Sequence, residues 1–209
     1  MIYGCDRSYA NLPADWAAVK ASGKIHFVYS RCCYGTNAAD DDGQSFILDH
    51  DGCKANGIPF GAYFFWLMGQ DGIAQADHFL SVASGRYGQL LPFVDVEEGS
   101  GVLGWGSSVE ERIANLSATL DQIQKHLAEP MIYTNYDTWM TYFQGSDAFS
   151  GHRLFIANYP ATPGQPSMPT GWDTWTLHQY SSAPSDIPGI TGNIDLDCTN
   201  GDSLASITR

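Results

Sequence analysis

The stretch Gln89-Leu90-Leu91-Pro92-Phe93-Val94-Asp95-Val96-Glu97 is an apolar run that empties into two carboxylates two residues apart, with Glu98 and a glycine-rich segment behind them. Such a run reads as a buried strand. Side chains alternate along a strand, so Asp95 and Glu97 project from the same face. Two acids confined to one partly apolar cleft repel each other and titrate apart, which leaves one protonated and the other charged at a single pH.

Outward from this strand, short apolar runs alternate with amphipathic stretches. Strands are expected over Met1–Cys5, His26–Cys32, Pro59–Trp66, Leu90–Val96, Pro130–Thr134 and Leu154–Asn158, then Thr174–Tyr180 and Asn193–Leu196. Helices are expected over Trp16–Ala21, Phe46–Asn56, Gly72–Ser84, Val109–Leu127 and, as a short one, Thr138–Phe143. Strand and helix alternate early, while the last strands follow one another with little helix between them. That pattern predicts an α/β fold: an irregular, TIM-like parallel barrel of eight strands with fewer than eight helices. No repeat and no long linker divides the 209 residues, so one domain over 1–209 is expected.

Hydrophobic content of 44% and aromatic content of 13% call for a folded globule. A formal net charge of -13 opposes nucleic acid and anionic membrane surfaces at long range, and it favours no polyanionic substrate either. Any affinity for a cell wall must come from close contacts. The five cysteines (Cys5, Cys32, Cys33, Cys53, Cys198) contain no C-x-x-C, and an odd count leaves at least one thiol free. Free, buried thiols are expected, with Cys5 and Cys198 the first pair to test for a disulfide. The segment Met1–Asp6 has neither a basic n-region nor a long apolar core, so no signal peptide and no spanning helix are expected.

In a β/α barrel the reactive groups gather at the C-terminal ends of the strands. Asp6 ends the first strand, Asp95 and Glu97 end the fourth, and Asp195 and Asp197 lie at the end of the eighth. First and last strands are neighbours in a closed barrel, so Asp6 and Asp195 should converge beside Asp95 and Glu97. Any one of these acids could be a solvated loop residue or a helix cap. All of them at strand ends point instead to a site, and a pair of carboxyls is what acid catalysis on a glycosidic bond requires. Tyr63, Trp66, Tyr133, Tyr159 and Gln179 fall at or just past strand ends, where rings and an amide could hold sugars; core packing is the competing explanation for the aromatics. Asp40-Asp41-Asp42-Gly43 has the wrong register for a calcium loop, and His50 between Asp49 and Asp51 reads as solvated helix surface. No metal and no other cofactor is expected.

The opening Tyr3-Gly4-Cys5-Asp6-Arg7-Ser8 resembles the start of glycoside hydrolase family 25, the Chalaropsis-type lysozymes. So do Gly61-Ala62-Tyr63-Phe64-Phe65, Pro92-Phe93-Val94-Asp95-Val96-Glu97, Ile132-Tyr133-Thr134, Ile156-Ala157-Asn158-Tyr159 and Asn193-Ile194-Asp195-Leu196-Asp197, in order along the chain. The resemblance implies an irregular β/α barrel and an N-acetylmuramidase that cuts the β-1,4 bond between N-acetylmuramic acid and N-acetylglucosamine of bacterial peptidoglycan. It matches the family's acids to Asp6, Asp95, Glu97 and Asp195. Phe64 and His178 depart from the family's usual histidine and tryptophan. On this reading Glu97 is general acid and then base, and its proton affinity is raised by Asp95 and by aromatic walls. Asp95 is the nucleophile or the stabiliser of an oxazolinium, with retention of configuration by either route. Asp6 and Asp195 orient the substrate's acetamido group. The expected setting is a monomeric phage endolysin, made in the cytoplasm and acting on the wall. The rival readings are a glycosidase for another amino-sugar polymer and a barrel that binds wall glycan without cutting it.

Overall fold

The computed structural model of the protein describes residues 1–36, 43–98, 108–159 and 161–209. The run Asp40–Asp42 lies outside the described residues. Among the described residues eight strands are present, β1 (Tyr3–Arg7), β2 (Val28–Tyr34), β3 (Phe60–Phe65), β4 (Phe93–Asp95), β5 (Met131–Asn135), β6 (Leu154–Ala157), β7 (Leu177–Pro184) and β8 (Asn193–Thr199). They close a barrel in chain order. The helices α1 (Trp16–Ser22), α2 (Gln44–Ala55), α3 (Gly72–Val82), α4 (Val109–His126) and the short α5 (Tyr136–Tyr142) join the first six strands.

The barrel departs from the expected parallel one in its last strand. β1 through β7 run parallel, and β8 is antiparallel to both of its neighbours, β7 and β1. A parallel return needs a crossover of a dozen residues or more, whereas antiparallel strands need only a turn. Ser185–Gly192 supplies such a turn, with the Ser185 amide donating to the Gly192 carbonyl at 2.8 Å. β8 therefore enters the barrel at the end where the other strands leave it. Its first residues, rather than its last, meet the ends of β1 and β4.

β4 is shorter than the apolar run suggests. Leu90 and Leu91 spend their amides on the carbonyls of Phe60 and Ile207, closing the far end of the barrel, and Pro92 has no amide to give. Strand parity sorts the side chains into two layers. Phe27, Tyr29, Phe93, Tyr133, Phe155 and Leu177 fill the barrel, with Tyr29 and Phe155 each 5.1 Å edge-on to Phe93. Val94, Val96, Phe64, Ile132 and Ile156 face outward and pack beneath the helices. Gly4 and Gly61 make room for the inner rings: a Cβ on them would lie 2.3 Å from Phe27 and 2.2 Å from Tyr29.

All five cysteines are free and buried, so Cys5 and Cys198 are not joined. β2 bulges between Arg31 and Cys33, which brings the adjacent Cys32 and Cys33 into the same outer layer instead of onto opposite faces. His50 is not solvated surface; it is buried edge-on to Phe60 at 5.4 Å.

One buried ion pair ties β1 to α2. Arg7 is 2% exposed, lies over the Trp16 ring, and donates from Nε to Asp49 Oδ2 at 3.1 Å and from Nη2 to the Leu12 carbonyl at 2.8 Å. The same Asp49 oxygen accepts from Ser30 Oγ at 2.9 Å. Removing one partner of such a pair strands a charge away from water. Asp49→Ala is expected to lower stability by about 3–5 kcal/mol in urea unfolding. A loss within ordinary surface values would show that the guanidinium finds another partner.

Candidate active site

Strand parity and the antiparallel β8 bring the acids of three strands to one end of the barrel. On β1, Gly4 and Asp6 face inward; on β8, Asp195 and Asp197 do, with Asp6 opposite Asp195 and Gly4 opposite Asp197. Phe93, Asp95 and Glu97 share the inward face of β4 and the residues after it. Asp6 and Asp95 are each only 4% exposed. Glu97 and Asp195 are half-buried and open onto separate hollows. Glu97, with Asn135, Asn158 and Tyr159, lines one of about 450 Å³ along the ends of β4 to β6. Asp195, with Asn11, Ser182 and Asn193, lines one of about 240 Å³ between β1, β7 and β8.

A network of donors converges on Asp6. Tyr63 Oη donates to its Oδ1 at 3.4 Å, and Gln179 Nε2 donates to its Oδ2. Gln179 Oε1 in turn accepts from Tyr133 Oη at 2.8 Å and from Tyr159 Oη. Four of the five residues expected to hold substrate are thus brought together at Asp6, and of these Tyr159 is the most exposed. Trp66 does not. Tyr63 and Phe65 face inward, so Phe64 and Trp66 face out; Trp66 is fully buried under α4, with its indole N–H donating to Thr119 Oγ1 at 3.0 Å. The strand's end was legible in the sequence, but the parity excludes Trp66 from the cleft.

Arg31, which no motif in the sequence marks, supplies positive charge. It lies two residues beyond the inward Tyr29, with its guanidinium 5.4 Å over Tyr9, 5.8 Å over Tyr34 and 5.8 Å over Phe65. Tyr34 and Phe65 stack at 4.6 Å beneath it. Among the described residues, no group of three or more His, Cys, Asp or Glu is arranged to hold a metal ion.

Burial sets the electrostatics. It raises Glu97 to about 7, with Arg31 opposing the rise and Asp195 adding to it. Asp95 is driven well above the usual carboxylate range by burial and then by the Glu97 charge, again against Arg31. Asp6 is pushed to about 8 by burial and by Asp195, despite the bonds from Gln179 and Tyr63. Burial also raises Asp195, which Ser182 restrains. Such a cluster holds protons at neutral pH and titrates as a unit.

The model of the glycosyl hydrolases family 25 matches residues 5–190. The chain belongs to this family. It is therefore a glycoside hydrolase. It is 30% identical to Lysozyme M1 of Streptomyces globisporus over 96% of its own length and 68% of that protein's. To the autolytic lysozyme of Clostridium acetobutylicum it is 27% identical over 88% of its length, spanning about half (51%) of that relative. The lysozyme structure from Streptomyces coelicolor superposes with a TM-score of 0.85 at 26% identity, covering 98% of this chain and 96% of that one. The muramidase of Acremonium alcalophilum gives 0.82 at 26%, covering 99% and 97%.

Two departures from the family's usual residues lie outside the cleft of this family 25 hydrolase. Phe64 stacks on Phe79 in the outer layer at 5.1 Å. His178 is buried with the outward parity of β7, its Nδ1 accepting from the Gly164 amide and its Nε2 donating to the Asn158 carbonyl, both at 3.1 Å. Burial lowers its proton affinity, which suits the neutral ring that this pairing needs.

The raised carboxyls make stability depend on pH with a fixed sign. A group with higher proton affinity in the folded than in the unfolded chain stabilises fully below its unfolded pKa, and that contribution is lost as pH rises through the folded value. For Glu97 and Asp6 the loss runs from about 4 up to about 7 and about 8. Urea midpoints are expected to fall between pH 5 and 8, and less steeply in Asp6→Asn. A midpoint that rises over this window would contradict the electrostatics.

Proposed function

We propose that the chain is a lysozyme, an N-acetylmuramidase that hydrolyses the β-1,4 bond between N-acetylmuramic acid and N-acetylglucosamine in bacterial peptidoglycan, with retention of configuration. Three things support the reading: family membership, similarity to lysozymes and muramidases, and above all the state of one residue. Glu97 faces the larger hollow with its proton affinity lifted to about 7, beside a second acid on the same strand face. A carboxyl so poised can give up a proton in one step and recover it in the next at neutral pH.

In this mechanism Glu97 donates its proton to the glycosidic oxygen as the bond from the anomeric carbon breaks, which releases the first sugar product as an alcohol. Before this step Glu97 is protonated and does not repel Asp95, and Arg31 favours the Asp95 anion against the burial that opposes it. That anion either bonds to the anomeric carbon or stabilises the oxazolinium formed by the substrate's acetamido oxygen. Water then attacks the same carbon, displacing the Asp95 carboxylate or the acetamido oxygen from it, and yields a proton to Glu97, restoring the starting state. Asp6 and Asp195 border the place where the acetamido group must lie. The hollows that meet the acids along different arcs of the rim suit a polymer, which needs sugar sites on both sides of the cut bond. Tyr63, Tyr133, Tyr159 and Gln179 are the proposed sugar contacts.

We place this activity in one catalytic barrel acting as a monomer, and take its setting to be that of a phage endolysin made in the host cytoplasm. Five free thiols agree with synthesis in a reducing compartment. Among the described residues no helix is long and apolar enough to cross a membrane.

Glu97→Gln is expected to lower turnover on the order of 10²–10⁴-fold with the fold intact by circular dichroism. New reducing ends from digested peptidoglycan should be muramic acid, recovered as muramitol after borohydride reduction. Near-normal turnover by the variant, or reducing ends on glucosamine, would refute the assignment.

A further inference from the structure

Below the acids of the mouth lies a fifth that the mechanism does not use. Asp197 faces inward one rung deeper along β8 than Asp195, between Gly4 of β1 and Gln179 of β7. It is completely buried, and neither carboxyl oxygen meets a hydrogen-bond donor. Gly4 offers no side chain. The Gln179 amide is spent on Asp6, and its oxygen on two tyrosines. Tyr29 Oη, also buried in the barrel, has no partner either.

An ionised carboxylate in that position would be a charge without solvent, donor or counter-ion, which costs several kcal/mol. A protonated carboxyl has an O–H to give, and Asp6 lies within hydrogen-bonding reach once Asp197 carries a proton. The two acids are not equivalent. Asp6 already receives bonds from Tyr63 and Gln179, whereas Asp197 receives none, so when the pair holds one proton it belongs on Asp197, and the charge on Asp6.

We propose that Asp197 is a positioning residue: it holds a proton beneath the site and donates it to Asp6, favouring the Asp6 anion on which Gln179, Tyr133 and Tyr159 are oriented. Every bond in the relay then points the same way. Asp197, Tyr63 and Gln179 donate to Asp6, while Tyr133 and Tyr159 donate to Gln179. Protonation of Asp6 would weaken the acceptor that holds the Gln179 amide and, through it, two walls of the cleft. The groups that face Asp197 agree with this placement. Inside the barrel they are Asp6 of β1, Tyr29 of β2 and Asp195 of β8; Cys5, Tyr180 and Cys198 act on it from the outward faces of the same and neighbouring strands, and none of the six is basic. Burial, followed by the Asp6 and Asp195 charges, keeps Asp197 protonated far above the usual carboxylate range.

The effect on turnover rests on the glycosidase reading above; the proton's location does not. The test therefore has two arms on the full chain. Infrared difference spectra at neutral pH should show a protonated-carboxyl band in the wild type that is missing in Asp197→Asn. In lysis assays across pH, Asp197→Asn, which keeps a donor, should leave the acid limb of kcat/KM where the wild type has it. Asp197→Leu, which keeps bulk but loses the donor, should move that limb upward by about one unit, a tenfold change in proton affinity. A merely structural role would lower activity in both variants without moving the limb.

The proposal is overturned if Asp197→Asn removes no such band. It is overturned equally if that variant moves the acid limb to lower pH, because a charge would then have been removed. Should Asp197→Leu fail to fold, the asparagine variant decides the matter by both readouts. A wild type that shows the band but releases no reducing ends would sink the lysozyme reading and leave the proton's location standing.

Discussion

Crowding acids into the upper half of a closed barrel sets the terms for the rest of this molecule. Asp6, Asp95, Glu97, Asp195 and Asp197 come from three strands, and burial works against the charged form of each. Mutual repulsion adds to that cost, and Arg31 offsets part of it. The fold meets the remainder by distributing protons and donors unevenly. Asp6 has two donors, Asp195 has Ser182, Glu97 has partial access to water, and Asp197 has no donor at all. Unequal surroundings are how identical chemical groups acquire different roles.

The same constraint explains why the final strand matters more than its length suggests. An antiparallel β8 places Asp195 opposite Asp6 and Asp197 opposite Gly4 at successive inward rungs. A parallel strand of the same sequence would have carried Asp195 toward the opposite end of the barrel, where Leu90, Leu91 and Ile207 close the core. The hairpin from β7 is thus part of the site's construction, and Gly4 leaves space in the rung beside Asp197.

Much of this was legible in the chain itself. Eight apolar segments in order, with helices that dwindle toward the end, pointed to an irregular barrel, and the period of two put Asp95 and Glu97 on one face. The direction of β8 was not legible from periodicity, which is blind to strand polarity; the shortness of Ser185–Gly192 was the available signal. Proximity to a strand's end does not put Trp66 in the cleft, because parity aims Tyr63 inward and Trp66 under α4. Arg31 is not legible from motifs, because a lone cation on an apolar strand carries none, although its spacing from Tyr29 gives its face. The fused outer position of Cys32 and Cys33 depends on a bulge that no local residue announces.

The claim on which all of this depends is that acids from β1, β4 and β8 share one pocket closely enough to alter one another's ionisation. Carboxyl carbon NMR titration of the wild type and of Asp195→Asn reads this directly. Glu97 and Asp6 should titrate near 7 and 8 in the wild type, and both should move down when the Asp195 charge is removed. Midpoints in the ordinary carboxylate range, unmoved by that substitution, would contradict the account.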